Sequence, residues 1–240
     1  MGRKNGRRRN RKGENGQEIL EFTLVTWLIL IPMFLGMISA GMNLVRTNQV
    51  VFITSDIATM YVQGQDFSTY SLQSLAARLA TGLDLEVGSS FTGSNAANTG
   101  NAGSVIVTLT KIMYVGTVSQ ATCLSVGAST SGNCKNANSF VYLQRIGFGN
   151  AAVPSAPTSI VGTPNASIAI SSAGNVSNYL TDTNAQLPAT ADTAMDNLWS
   201  PATANGMQDG QVVYVTEVYL DSTSFAFGSS AQGIYAKYFF

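Results

Sequence analysis

The longest apolar stretch of the chain runs from Phe22 to Val45 and contains no charged residue. Its 24 residues would form a helix about 36 Å long at ~1.5 Å per residue, which exceeds the roughly 30 Å hydrocarbon core of a bilayer. Pro32 removes one backbone donor from this helix and is expected to kink it. The pattern predicts one membrane-spanning helix near the N-terminus.

Beyond this run, the apolar positions keep a helical period but occupy only one face. Val50, Ile53, Ile57 and Tyr61 recur at spacings of three and four residues, as on the buried face of an amphipathic helix. We therefore predict one continuous helix over residues 17–62, whose outer part is a stem that lies on a folded domain.

Residues 63–240 contain shorter patterns, of which the first predicts a second helix at Ser71–Ala80. Gly82 follows this helix at a position suited to a C-terminal cap. The predicted apolar face of the helix consists of Leu72, Leu75, Ala76 and Leu79. A Gly/Asn/Ser-rich segment, residues 88–103, is interpreted as a loop.

Four later segments have strand character. They are residues 104–118, 140–148, 211–220 and 233–240, and the third, QVVYVTEVYL, has the strongest pattern. In the first strand, one predicted face carries Val105, Val107, Leu109, Met113 and Val115, and the other carries Thr108 and Thr110. Because helices precede the strands without β-α-β alternation, we expect an α+β fold, with an antiparallel sheet packed on the helical stem.

The segment between the second and third of these strands, residues 151–205, has few apolar positions and a high proline content. Residues 160–161 and 167–170 look strand-like, and residues 192–199 predict one or two helical turns. The rest is interpreted as loop. Residues 63–240 are thus expected to form one globular domain with long loops.

Charge is distributed unevenly along the chain. Residues 1–16 carry seven Lys/Arg and one acid, whereas the remainder carries six Lys/Arg and twelve Asp/Glu. A basic leader beside a membrane span follows the positive-inside rule, so we expect a cytoplasmic N-terminus and an exported domain. The leader, residues 1–16, is interpreted as disordered or removed. An Arg-rich leader also fits nucleic-acid binding, but the adjacent span already explains its charge and no basic surface follows.

The chain contains no histidine, which excludes the usual catalytic triads and most zinc sites. No nucleophile motif or cofactor loop is present, so we predict neither an enzyme nor a cofactor. Aspartates are scattered through the later loops without the D-x-D-x-D-G spacing of a calcium loop. We interpret them as solvated acids, with a calcium site as the alternative; they are Asp182, Asp192, Asp196, Asp209 and Asp221.

The only two cysteines, Cys123 and Cys134, lie eleven positions apart in a Ser/Gly/Asn-rich segment. A metal or redox site would need CxxC spacing or further ligands, and neither is present. In an exported domain, this spacing predicts a disulfide that closes a small loop and contributes about 2–3 kcal/mol.

A single carboxylate, Glu21, directly precedes the apolar run. A charge at the start of a membrane helix costs a few kcal/mol unless it is paired. Alternatively, Glu21 lies at the interface together with Glu18, where acids complement the dipole of the helix N-terminus. The neighbouring sequence, Gly16-Gln17-Glu18-Ile19-Leu20-Glu21-Phe22, has the form Gly, four residues, Glu, aromatic, after a basic leader.

This motif resembles the class III signal of type IV pilins and pseudopilins. With Glu-Phe and a proline shortly inside the span, it is most similar to the TadE-like minor pseudopilins of tight-adherence (Flp-type) pili. The resemblance implies that a prepilin peptidase cuts between Gly16 and Gln17. Glu21 would then neutralise the new amine at Gln17 of a neighbouring subunit, next to Phe22, as the helices pack into a pilus. The long loops at residues 88–103 and 151–205 depart from a small family member and leave the TadE, TadF or TadG type open.

The resemblance also implies partners and a location. The partners would be the prepilin peptidase and other pilin and minor pseudopilin subunits, bound through the N-terminal helix, with no nucleic acid. The protein would lie in the inner membrane before assembly and in an extracellular pilus afterwards. Function would be structural, in pilus assembly, initiation or tip formation.

Two other hypotheses for the protein remain. The first is a membrane-anchored exported binding or adhesive module that is never cleaved. The second is a secreted protein cut by signal peptidase near Ile38-Ser39-Ala40, which the length of the apolar stretch disfavours because a signal h-region has about 7–15 residues. The mature N-terminus distinguishes the three: Gln17, Met1 or Gly2, or a residue near Gly41.

Overall fold

A computed structural model of the chain describes residues 14–87, 97–100, 102–116, 135–153, 156–199, 206–221 and 233–240. These residues form a long N-terminal helix, a mixed five-stranded sheet and short helices, in the predicted α+β class. Most of the expected leader, residues 1–13, lies outside the described residues, as do both cysteines.

The N-terminal helix is continuous from Glu14 to Val62. It consists of α1 (Glu14–Val25), a π-helical turn (Thr26–Leu30) and α2 (Ile31–Val62). The π-helical turn directly precedes Pro32, whose ring has no N–H and would clash with the carbonyl one turn earlier; a wider turn relieves that clash. A kink at Pro32 stays a prediction. The helix starts three residues before the predicted position 17.

The helix ends where the chain turns at Gly64. Gln63 N–H donates to Thr59 O at 3.0 Å, and Gly64 N–H donates to Tyr61 O at 3.1 Å. Gly64 has φ 83°, a left-handed conformation that closes a helix C-terminus at no cost for glycine. The chain then turns back toward the stem through Phe67, which is fully buried.

The sheet has the strand order β1-β3-β2-β4-β5. The strands are β1 (Ala97–Gly100), β2 (Val105–Val115), β3 (Ser139–Asn150), β4 (Val212–Leu220) and β5 (Ile234–Phe239). Strands β2 to β5 form antiparallel pairs, which confirms the four predicted strands. Strand β1 pairs in parallel with β3 at the edge, so the prediction of a loop over residues 88–103 is wrong there.

The register of the sheet confirms the faces predicted for β2. Val105, Val107 and Leu109 lie on the face that packs against the N-terminal helix. A bulge interrupts the pairing with β3, because Lys111 is opposite Gln144 while Ile112 is opposite Tyr142. On the same face as Val105, Met113 and Val115 form a small separate cluster with Val141 and Leu180.

The stem, residues 46–62, packs on the sheet as predicted. Its four predicted core positions are all buried: Val50, Ile53, Ile57 and Tyr61. The Tyr61 ring lies edge-on to Tyr214 at a centroid distance of 5.2 Å, and its hydroxyl donates to Gln144 Oε1 at 3.0 Å. The stem is thus fixed to the sheet by apolar contacts and by the hydrogen bond from Tyr61 to Gln144.

The second helix, α3 (Tyr70–Leu79), forms one residue earlier than predicted, and its predicted apolar face is partly wrong. Gln73 and Ala76 are buried, whereas Leu75 and Leu79 are exposed. The Gln73 amide donates to Phe67 O at 2.8 Å, and this bond turns the polar side chain inward. Gly82 is not the cap either. It lies in a 3₁₀ turn, Thr81–Leu83, and the left-handed residue is Asp84, with φ 58°.

The opposite face of the sheet is covered by residues 156–199, including helix α4 (Ala189–Leu198). Apolar side chains of β2, β3 and β4 pack there against Val161, Leu187, Ala191 and Met195. The strands expected at residues 160–161 and 167–170 are turns, apart from a single bridge between Ile170 and Val176. Val161 and Ile168 act there as isolated buried anchors. The helix expected at residues 192–199 exists and begins earlier, at Ala189.

Candidate functional site

The apolar half of the N-terminal helix, Phe22–Val45, projects from the folded domain with its side chains exposed around the whole circumference. Phe22 is 74% exposed and Leu28 is 72% exposed. Among the described residues, one helix, Glu18–Val62, is long and apolar enough to cross a membrane. An apolar surface of this size requires lipid or other helices around it.

Hydroxyl groups within the apolar half are satisfied by the helix itself. Thr23 Oγ1 donates to Ile19 O at 2.7 Å, and Thr26 Oγ1 donates to Phe22 O at 2.8 Å. These bonds satisfy both hydroxyls within the helix, so both can lie in an apolar environment at low cost.

The structure places the predicted processing and assembly residues on the first turns of one helix. The backbones of Gly16 and Gln17 are helical, as are those of Glu21 and Phe22. Residues 17 and 21 are four apart, so they lie on the same helix face, one turn from each other. A cut after Gly16 would therefore leave the new amine about 6 Å along the axis from Glu21 of the same chain.

Three of the five aspartates considered for calcium have structural partners within the domain. Asp182, Asp192 and Asp209 each accept a backbone N–H hydrogen bond, from Asn184, Phe140 and Gly116 respectively. Burial raises the pKa of the Asp192 carboxyl, and the bond from Phe140 partly offsets that rise. Among residues with a described position, no group of three or more His, Cys, Asp or Glu is arranged to hold a metal.

A polar cluster that the sequence reasoning did not identify lies on the sheet face away from the stem. Glu217 is only 4% exposed and accepts three hydrogen bonds. Ser159 Oγ donates to its Oε2 at 2.5 Å, Ile160 N–H donates to Oε1 at 2.8 Å, and the Tyr235 hydroxyl donates to Oε1. Burial and the Glu217 charge raise the pKa of Tyr235. A charged residue inside the apolar strand QVVYVTEVYL was the signal available in the sequence.

Arg145 of β3 lies on the same face as Glu217, diagonally across β2. Thr110 is opposite Arg145, and Thr108 is opposite Glu217. Arg145 Nη1 donates to Thr110 Oγ1 at 3.3 Å, and burial lowers the pKa of the guanidinium. Arg145 and Glu217 line a common cavity of about 270 Å³.

Comparison with known proteins identifies no relative of this chain. No protein-family model, curated protein or solved structure matches the chain. Two regions therefore remain as candidates: the exposed apolar half with Glu21 at its start, and the cavity around Arg145 and Glu217. The first has the geometry of a membrane or helix-bundle segment. The second has the geometry of a small-molecule pocket.

Proposed function

We propose that the protein is a structural minor pseudopilin that takes part in the assembly, initiation or tip of a pilus. The observation that carries the proposal is the N-terminal helix. Its exposed apolar half begins at Glu21 and continues without a break into a stem buried on an α+β domain. Such a helix can move from a bilayer into a helix bundle, because both surround it with apolar groups, while the domain stays outside.

In this proposal, processing creates a cationic group with which Glu21 can pair between subunits. A prepilin peptidase cuts after Gly16, and the new amine at Gln17 becomes cationic. Pairing with Glu21 of a neighbouring subunit offsets the cost of burying both charges and disfavours other axial registers. Because the amine and Glu21 of one chain lie one turn apart, the intermolecular pair competes with an intramolecular one. Assembly then depends on the apolar contacts that bring two helices together.

A second candidate is a membrane-anchored binding module that is never cleaved. The observation that favours it is the helical backbone of Gly16 and Gln17, which places the bond between them inside a helical turn. A peptidase must unwind that turn to reach the bond. Mass spectrometry of protein purified from membranes separates the two: the pseudopilin begins at Gln17, and the uncleaved anchor begins at Met1 or Gly2.

Substitution of Glu21 tests the assembly step. Glu21→Ala should insert into the membrane and be cut after Gly16, but pili counted by electron microscopy should be lost or strongly reduced. Glu18→Ala is the matched control, because it removes a carboxylate one turn earlier in the same helix, and it should leave pilus number unchanged. Normal pili with Glu21→Ala would contradict the charge-neutralisation mechanism. Equal loss with both variants would show only a general need for negative charge.

A further inference from the structure

The cavity on the sheet face away from the stem is a built polar pocket. Its floor is formed by residues of β2, β3, β4 and β5, and its cover is the segment from residue 156 to residue 163. The lining groups that matter chemically are Thr108, Arg145, Ser159, Thr163, Glu217 and Tyr235.

Glu217 holds the cover on the floor. Its two carboxylate oxygens accept bonds from Ser159 and Ile160 of the covering segment and from Tyr235 of β5. Three donors converge on one buried carboxylate, so its acceptor capacity is directed toward the protein. Glu217 is therefore a structural group of the pocket.

Arg145 differs from Glu217 in how its polar atoms are used. A guanidinium has five N–H donors in a planar fork. Among the described residues, the side chain donates one hydrogen bond, to Thr110 Oγ1 at the long distance of 3.3 Å. Arg145 also lines a second cavity of about 500 Å³, which it shares with Gly147, Thr163 and Asn165. The guanidinium thus lies at the boundary of the two cavities. Its remaining N–H groups can donate hydrogen bonds to the oxygen atoms of a ligand.

We propose that these adjoining cavities bind an acidic monosaccharide, whose carboxylate pairs with the Arg145 guanidinium. The fork of arginine matches the two oxygens of a carboxylate. Glu217 repels an anion on its own side, so the ligand carboxylate lies on the Thr163 side of Arg145. There the second cavity offers polar groups of Asn165, Ser171 and Ser172 to sugar hydroxyls. The proposal does not depend on pilus assembly.

The size of the pocket favours a sugar ring over a simple acid. Small-molecule sites have volumes of roughly 300–1,000 Å³. The first cavity alone, at about 270 Å³, is near the lower end of that range, and the second adds about 500 Å³. An acetate ion would contact Arg145 and leave the polar groups beyond Thr163 without partners. A ring with a carboxylate and several hydroxyls reaches both.

Calorimetry on the full-length protein in detergent micelles tests the ligand class. The probes are glucuronate, galacturonate, glucose and acetate. We expect at least one of the two acidic sugars to bind more tightly than glucose and than acetate, each by about tenfold or more. Equal affinity for acetate would overturn the sugar assignment. Absence of binding by both acidic sugars would overturn the proposal.

Two variants and one control test the location. Arg145→Lys keeps the charge but loses the fork, and should weaken binding of the acidic sugar by about tenfold. Thr163→Trp changes an exposed position that lines both cavities, and should abolish binding while the melting temperature stays unchanged. Arg78→Lys, on the exposed end of α3, is the control and should bind normally. Unchanged affinity in a folded Thr163→Trp protein would overturn the location, even if Arg145→Lys fails to fold.

Discussion

The apolar half and the stem belong to one helix, yet they depend on different partners. In the apolar half, Ile29 is 59% exposed, whereas in the stem Ile57 is fully buried against the sheet. The backbone is helical in both, so the difference lies in the side chains around it. The stem is stabilised by its own domain. The apolar half needs lipid or neighbouring helices, because the described part of the chain leaves most of its side chains exposed.

This difference explains how one helix can serve two roles. In the proposed function, the stem is fixed to its own domain and cannot exchange partners, whereas the apolar half, most of whose side chains are exposed among the described residues, can leave a bilayer and enter a bundle. The π-helical turn at Thr26–Leu30 and Pro32 lie in the second segment, away from the sheet. Local distortions there do not disturb the packing of the domain.

The largest expected effect compares two isoleucines of the helix. Ile57→Ala removes a fully buried side chain from the core and should lower the free energy of unfolding of the domain by about 2–5 kcal/mol. Ile29→Ala removes the same atoms from the apolar half and should leave that free energy within about 0.5 kcal/mol of the wild-type value. Urea titrations in detergent, followed by near-UV circular dichroism, measure both. Equal losses would show that the two halves share one packing environment.

A lysine placed in the apolar half or in the stem tests whether lipid or water surrounds the exposed side chains there. Leu28→Lys puts an ammonium near the middle of the apolar half and should cost about 2.5–3.5 kcal/mol of membrane insertion. Phe52→Lys is the matched control, because Phe52 is 70% exposed on the outer side of the stem, where we expect water. Carbonate extraction of membranes measures the retained fraction. Retention of Leu28→Lys at the wild-type level would contradict a lipid environment for this half.

Sequence periodicity predicted those parts of the fold that depend on local side-chain patterns. Apolar length predicted the N-terminal helix, spacing of three and four predicted the stem, and segments of strand character predicted β2 to β5. Strand β1, Ala97–Gly100, has no such pattern. As an edge strand it is held by backbone pairing with β3, and this pairing does not require a particular order of apolar and polar side chains. Leu75 was placed inward by its spacing, but the hydrogen bond from Gln73 to Phe67 decides which side of α3 is buried.

The two candidate sites also differ in how far a local sequence pattern predicts them. Glu21 is recognisable because the motif that contains it is contiguous. Arg145 and Glu217 are separated by 72 positions and meet only through the strand order β3-β2-β4, which the sequence does not specify. A charge in the middle of an apolar strand marked Glu217 as unusual, but nothing local linked it to Arg145.

Alkaline pH should affect the domain and leave the apolar half unchanged. Burial raises the pKa of Tyr142 to about 12, and burial together with Glu217 raises the pKa of Tyr235. An unfolded tyrosine loses its proton near pH 10, so this stability is complete below about pH 10 and is lost as pH rises toward 12. We expect the free energy of unfolding to fall by about 1–2 kcal/mol between pH 10 and 11. Tyr142→Phe should reduce that slope, and exposed Tyr238→Phe should not.

The smallest expected effect concerns the hydrogen bond from Tyr61 of the stem to Gln144 of the sheet. Gln144 of β3 accepts a hydrogen bond from Tyr61 and donates one to Ala173 O at 3.0 Å, so it connects the stem to the loop beyond the sheet. Tyr61→Phe removes the first bond and keeps the ring contacts with Phe67 and Tyr214. It should lower the free energy of unfolding by about 1 kcal/mol. A loss as large as that of Ile57→Ala would mean that the polar contact, and not apolar burial, holds the stem in place. If Tyr61→Phe lowers the free energy of unfolding by only about the contribution of one hydrogen bond, and helicity in the apolar half stays at the wild-type level, the stem is held mainly by its four buried apolar positions.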